Sequence, residues 1–207
     1  MSRAAYHSER RQEQAEATRQ AILDAARTLF VERGYARTTI ADIASLAHVA
    51  VPTVYVSVGP KPSILGELRK QIPVLAGVPE NARAAFDQVN DPRRVISGFV
   101  AGVRRLLETS GGLMYAIESA APFEPVAAEA WEEGLVLHRA VCGVALERLE
   151  ALGALSGTLS LARAGDVMSL MTLPATWRTL GANYGWTYDD VEAWMVESVM
   201  VLVTDRH

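Results

Sequence analysis

"TTIADIASLAHVAVPTVYVSV", residues 38–58, is the stretch on which the reading of this chain turns. Two short helical patterns flank Ala47, His48 and Val49. Thr39 followed by Asp42 has the form of a capping box opening the first pattern, with Ile40, Ile43, Ala44 and Ala47 on its inner face. Pro52 suits the first turn of a helix, where its missing N–H costs nothing, and predicts a second helix from about Val51 to Ser57 with Val51, Val54 and Val58 as its apolar face. Helices of about two turns do not persist alone. Such a pair makes sense when a longer helix buttresses it and the second member lies in a major groove, as in a helix-turn-helix. That arrangement wants apolar residues at Ile43, Ala47, Val49 and Val54 and a small residue at Ala44, and all five are in place. His48 holds the turn position where glycine is common, and histidine enters the left-handed region only at some cost. An ordinary helical hairpin is the alternative that periodicity alone leaves open.

Working outward, Glu13 to Arg33 places Ile22, Ala25, Ala26, Leu29 and Phe30 on one stripe, and Gly34 supplies a left-handed stop. Downstream, "GPKPSIL" is a break, after which a fourth helix is expected from Lys61 to Leu75. A short helix in "VPENARAAFDQVNDP" ends near Pro92, followed by Arg93–Leu107, an interruption at "TSGG", and Leu113–Ala121. Glu124–Leu152, Ser160–Leu180 with a kink at Pro174, and Tyr188–Thr204 complete the series. There is no strand-like alternation of useful length and no repeat, so the expected class is all-α. In "VEAWMVESVMVLV" (191–203) only Glu192, Glu197 and Ser198 are polar, so apolar residues run nearly round the helix. A helix without a polar face is buried on more than one side, which predicts a homodimer formed through the last two helices.

Half of the residues are hydrophobic and a fifth are charged, the balance of a folded protein. The charge is uneven: residues 1–70 sum to +3 and residues 71–207 to −7, a basic head on an acidic body. The single cysteine, Cys142, excludes an internal disulfide. The N-terminus lacks a signal-peptide apolar region and no run is long enough to span a membrane, so a cytoplasmic, soluble protein is expected. There are no Glu-x-x-His pairs, no His-Glu-x-x-His, no Gly-rich phosphate loop and no metal spacing among the four histidines. Catalysis therefore has no residues to stand on, and neither cofactor nor metal is expected.

"AILDAARTLFVERGYARTTIADIASLAHVAVPTVYVSVGPKPSIL" (21–65) resembles the DNA-binding head of the TetR, or tetracycline-repressor-like, regulators. The shared features are the helix with its aromatic, Gly-Tyr, Thr-Thr, Ile-Ala-x-x-Ala, Pro-Thr-x-Tyr, and a Lys before a long helix. The resemblance implies a three-helix helix-turn-helix head at 1–60 with a basic N-terminal arm, and a helical bundle at 61–207 for dimerisation and ligand binding. It also implies a regulator, most simply a repressor, that leaves double-stranded operator DNA when a small hydrophobic effector binds. Thr38 and Thr39 would contact a phosphate, Ala50, Val51, Pro52, Thr53, Tyr55 and Ser57 would present the recognition helix, and Lys61 would clamp a phosphate. Most members carry Tyr-Phe where this chain has Ser57-Val58, and often Ser-Lys where it has Ala50-Val51. Fewer polar groups face the groove, so readout leans on apolar contact with thymine methyls and on Arg3, Arg10 and Arg11 in the arm.

The body offers no motif for its pocket. By composition, candidate lining residues are Phe99, Val103, Met114, Tyr115, Glu118, Phe123, Trp131, His138, Met168, Met171 and Trp177, because Met and aromatic groups suit an adaptable apolar cavity. Plain core is the competing explanation for the same residues. A helical protein-binding adaptor, or a bundle that binds no DNA, is the alternative function.

Overall fold

The structure, a computed structural model, describes residues 3–72 and 78–204, with the side chains of residues 3–9 and 78–80 outside that description. The helices are α1 (Arg3–Arg33), α2 (Ile40–Leu46), α3 (Val51–Ser57), α4 (Lys61–Lys70), α5 (Val78–Phe86), α6 (Pro92–Ala120), α7 (Pro125–Ala151), α8 (Leu161–Thr172), α9 (Pro174–Arg178) and α10 (Tyr188–Val203). Among the described residues there is no strand beyond one isolated bridge between Leu155 and Thr204, so the class is all-α. No single helix among them is long and apolar enough to cross a membrane.

Packing divides the chain into two compact units. The first comprises Met1–Ile72 together with Gly112–Trp131, and the second Pro73–Gly111 together with Glu132–His207. In the first, α1 contributes Ile22, Ala26, Leu29 and Phe30, α2 Ile43 and Ala44, α3 Val54, and α4 Ile64, Leu65 and Leu68 to one buried cluster. Leu113, Ala116, Ile117 and Ala120 from the end of α6, with Ala127 of α7, close it. The unit therefore extends past residue 60 and takes in all of α4.

Besides the earlier start of α1, at Arg3 rather than Glu13, three boundaries differ from expectation. The fourth helix ends at Lys70, with Gln71 as its C-cap, rather than at Leu75, which lies outside the described residues. Pro73 accounts for the early stop, because proline disfavours helical geometry in the residue before it. Around Pro174 the chain breaks fully instead of kinking: Leu173 is extended at φ −58°, ψ 148°, and α9 passes into a π-helical turn at Thr179–Asn183. At "TSGG" the helix is not interrupted at all, since α6 runs continuously from Pro92 to Ala120.

The glycine at the centre of that third difference has a tertiary reason. A Cβ built on Gly112 would lie 2.7 Å from Val31 Cγ1 and 3.0 Å from Cγ2, so only glycine lets α1 and α6 approach this closely. Valine is stiff at χ1 and cannot swing aside freely.

In the second unit the buried residues come from α6 (Val95, Ile96, Phe99, Val100), α7 (Cys142, Ala145, Leu146, Leu149), α8 (Ala164, Met168) and α10 (Val191, Met195, Val199, Val203). Thr187 and Asp190 form a capping box at the start of α10. Arg104 on α6 ties down the same end, pairing with Asp189 at 2.6 Å, Glu192 at 2.7 Å and Glu108 at 2.8 Å. Arg93 pairs with Glu197 one turn further along α10. Trp194 and Val201, away from the buried face of α10, and Leu202 in its last turn are exposed in the single chain.

Gly112→Ala should therefore lower unfolding stability by about 1 kcal/mol or more, overpacking outweighing the gain of roughly 1 kcal/mol in helix propensity. In a Val31→Ala background the same substitution should become stabilising, read as the shift of the urea midpoint.

Candidate nucleic-acid interface

Gly34, at φ 80°, ends α1 and turns the chain toward α2. Thr39 caps α2 in a reciprocal box: its hydroxyl accepts from the Asp42 amide at 3.1 Å, while the Asp42 carboxylate accepts from the Thr39 amide at 2.9 Å. Ala47 closes α2, and His48 takes the turn in the left-handed region at φ 56°, a conformation worth about 1 kcal/mol of strain for a side chain other than glycine. The Val49 amide bonds back to Ala44 O at 3.0 Å, and α3 then starts at Val51 with Pro52 in its first turn. The chain turns through 97° between α2 and α3, within the range of a helix-turn-helix.

The inner side of this motif matches the sequence spacing. Ile43 and Val54 are wholly buried, Ala44 nearly so, and Ala47 and Val49 pack partly buried against the same cluster. On α3, Val54 and Val58 face inward, whereas Val51 does not: it is 38 % exposed, with Pro52 and Tyr55 beside it. Thr53 and Ser57 are half-buried on the flanks, and Ala50 is exposed at the N-cap. The most exposed apolar side chain on the helix is Val56, at 88 %, a residue absent from the sequence-based selection. The signal was present: at 100° per residue, Val56 stands about 200° round the helix from the inward Val54.

The three groups expected at phosphates, Thr38, Thr39 and Lys61, are each engaged within the chain. Thr38 is 1 % exposed and its hydroxyl donates to Leu29 O and Gly34 O, so it holds the end of α1. Thr39 gives its hydroxyl proton to Asp42 Oδ2 at 2.6 Å, and this hydrogen bond holds the Asp42 carboxyl below its usual range. A carboxylate thus already occupies the start of α2 where a phosphate was expected. Lys61 donates to Tyr35 O and Thr38 O, both at 2.9 Å, and its ammonium lies 4.1 Å from the centre of the Tyr35 ring. Two of its three donors are spent on backbone carbonyls, and burial lowers its pKa despite the nearby Glu124.

Tyr35 completes this brace. Its ring packs against Phe30 at 5.1 Å and its hydroxyl donates to Glu124 Oε2 at 2.9 Å, with burial first and the Glu124 bond second raising its pKa. The N-terminal arm is likewise not a separate segment, since α1 is helical from Arg3; Arg10 and Arg11 are exposed on its first turns. The side chain of Arg3 lies outside the described residues.

The pocket candidates scatter. Phe123, 60 % exposed in the turn between α6 and α7, lines no enclosed space. Met114, Tyr115, Glu118 and Trp131 belong to the first unit and are half-buried. Phe99, Val103, Met168 and Trp177 are buried in the second, where Met171 is half-buried. A solvent-open groove of about 830 Å³ in the second unit is lined by Gln88, Val89, Asn90, Asp91, Arg94, Ser97, Gly98, Ala101 and Glu192, none of them a candidate.

His138 is set among polar neighbours. Its Nε2 lies 3.1 Å from Thr172 Oγ1 and 3.3 Å from Ser169 O, and its ring is 6.0 Å from that of Phe99. The Thr172 hydroxyl donates to Met168 O at 2.7 Å and a carbonyl can only accept, so Nε2 carries the proton. Burial lowers the His138 pKa, partly offset by the Ser169 carbonyl, and pushes the neighbouring Cys142 thiol up to about 12. Among the described residues, no three His, Cys, Asp or Glu side chains are grouped as metal ligands.

The arrangement defines a helix-turn-helix head within an all-α chain. Residues 22–57 match the sequence profile of the family described as bacterial regulatory proteins, tetR family. The head is similar to that of the tetR family over this segment, and the whole chain shares its fold with several solved regulators. NalD, the secondary repressor of the MexAB-OprM multidrug efflux pump in Pseudomonas aeruginosa, superposes with a TM-score of 0.70 at 22 % identity, over 94 % of this chain and 100 % of that one. HlyIIR, a hemolysin II transcriptional regulator, gives 0.62 at 18 % identity over 93 % and 99 %. SmeT, solved with triclosan, gives 0.62 at 19 % identity over 91 % and 92 %. No curated protein matches the chain in sequence.

The lowered His138 pKa carries a pH signature. As pH falls through about 6.5 the unfolded chain takes up its proton before the folded one, so stability declines from there toward the folded pKa. The carboxylates held low, Asp42, Glu67, Asp190 and Glu197, lose their contribution only below about 4.5. The midpoint of thermal unfolding should therefore drop between about pH 7 and pH 5, and His138→Gln should flatten that slope.

Proposed function

We propose that this chain is a transcriptional regulator that binds double-stranded operator DNA as a homodimer, with α3 of each copy in a major groove. The observation that carries the reading is α3 itself: a short helix with Val54 as its one fully buried residue, turned outward from a capped α2, within a segment that matches the tetR family. The excess of positive charge in the first 70 residues supports a polyanionic partner. The DNA-facing residues are Ala50, Val51, Pro52, Tyr55 and the outward Val56, with Thr53 and Ser57 at the flanks.

Two further parts of the proposal concern the remainder of the chain. The exposed Leu170 on α8 and Trp194, Val201 and Leu202 on α10 support dimerisation through the last helices, which would set the two recognition helices at half-sites about 34 Å apart. Repression relieved by a small hydrophobic effector is supported by what the similar structures are called: NalD a repressor, SmeT a complex with triclosan. Phe99, Val103, His138, Met168, Met171 and Trp177 are the proposed lining. Such an effector acts only by preferring the state that does not fit DNA.

The apolar character of the exposed α3 face favours a second reading, a helical adaptor that binds another protein. A mobility-shift assay with DNA from beside the coding region separates the two. Tyr55→Ala, at a position 52 % exposed, should leave the fold intact and weaken DNA binding at least about tenfold; full retention at physiological salt would place the interface elsewhere. Light scattering at micromolar concentration should return twice the chain mass, and Val201→Glu should shift it to the monomer.

A further inference from the structure

We infer that the recognition helix reads thymine C5-methyl groups, with Val56 as its foremost reader, and that its operator half-sites are rich in A·T pairs. This rests on the DNA-binding reading above.

The inference comes from what α3 lacks as much as from what it shows. Val51–Ser57 carries no charged and no amide side chain. The pairings that identify guanine through O6 and N7 need Arg or Lys, and those that identify adenine through N6 and N7 need Asn or Gln. Cations close to the helix are already engaged: Arg19 donates to Ser57 O at 2.8 Å and pairs with Glu67 at 2.7 Å, and Lys61 is held by Tyr35 O and Thr38 O. Thr53 and Ser57 are only half-buried, but they stand on the flanks of the helix rather than on its most exposed stripe.

What remains outward is Val51, Pro52, Tyr55 and Val56, a stripe spanning about 140° of the helix. Val56 projects furthest, at 88 % exposed against 52 % for Tyr55 and 38 % for Val51. On the floor of a major groove the one apolar feature is the thymine methyl, so an uncharged stripe of two valines, a proline and a tyrosine ring discriminates bases chiefly by burying it. Burying a methyl-sized group changes affinity about fourfold.

The test uses the full chain and a selection from random duplex DNA, followed by replacing each selected thymine under α3 with deoxyuridine. That change removes the methyl and leaves the hydrogen-bonding edge untouched. Selected half-sites should be A·T-rich, and each replacement should weaken binding about fourfold. Val56→Ala should weaken binding to the thymine duplex by a similar factor and be indifferent to deoxyuridine beneath it. Because Val56 is solvent-exposed, this variant keeps the fold, which circular dichroism verifies. Equal binding of thymine and deoxyuridine duplexes by the unmodified protein overturns the inference and leaves DNA binding standing. Recovery of no preferred duplex overturns both.

Discussion

Two seven-residue helices exist here because Ile43, Ala44 and Val54 are buried against α1 and α4. Helices of that length do not form in water on their own, since nucleation costs more than a few internal hydrogen bonds return. The burial supplies what is missing, at roughly 1.5–3 kcal/mol for each large aliphatic side chain withdrawn from water. On α3 only Val54 is wholly buried, so the rest of the helix is left to face outward. The outward geometry that makes the head useful is thus a direct result of how little of α3 the core takes in.

Charge in the first unit is directed inward to hold this seat. Lys61, Tyr35 and Glu124 form a chain of contacts from the start of α4 through the α1–α2 turn to the residue before α7. Asp42 and Thr39 close the start of α2 in the same way. Thr38, Thr39 and Lys61 brace the head from within, and the outward face of α3 carries no charged side chain. On the proposed function, such a surface would read DNA by shape and methyl contact rather than by paired hydrogen bonds.

The second unit follows a different economy. Arg104 pairs with Asp189 and Glu192 at the start of α10 and with Glu108 on its own helix, while Trp194, Val201 and Leu202 of α10 remain exposed. Surface ion pairs contribute little each to stability, so their value here is to fix the register of α10 rather than to hold it down. The apolar remainder is the surface on which the proposed dimerisation rests.

Much of the architecture was legible in residue order. The stripe Ile22, Ala25, Ala26, Leu29, Phe30, the stop at Gly34, the box of Thr39 and Asp42, and the left-handed His48 are local features, set by helical periodicity and by backbone preference, and the structure carries each of them. What residue order could not supply is direction and company. Gly112 reads locally as a break and is instead a contact point for Val31; Thr38 and Lys61 read as anion ligands and are turned inward by the carbonyls of a neighbouring turn; Val56 reads as one more valine and stands alone in solvent. Local chemistry follows from the residue itself, whereas what a side chain touches depends on elements distant in the chain, and only their packing decides it.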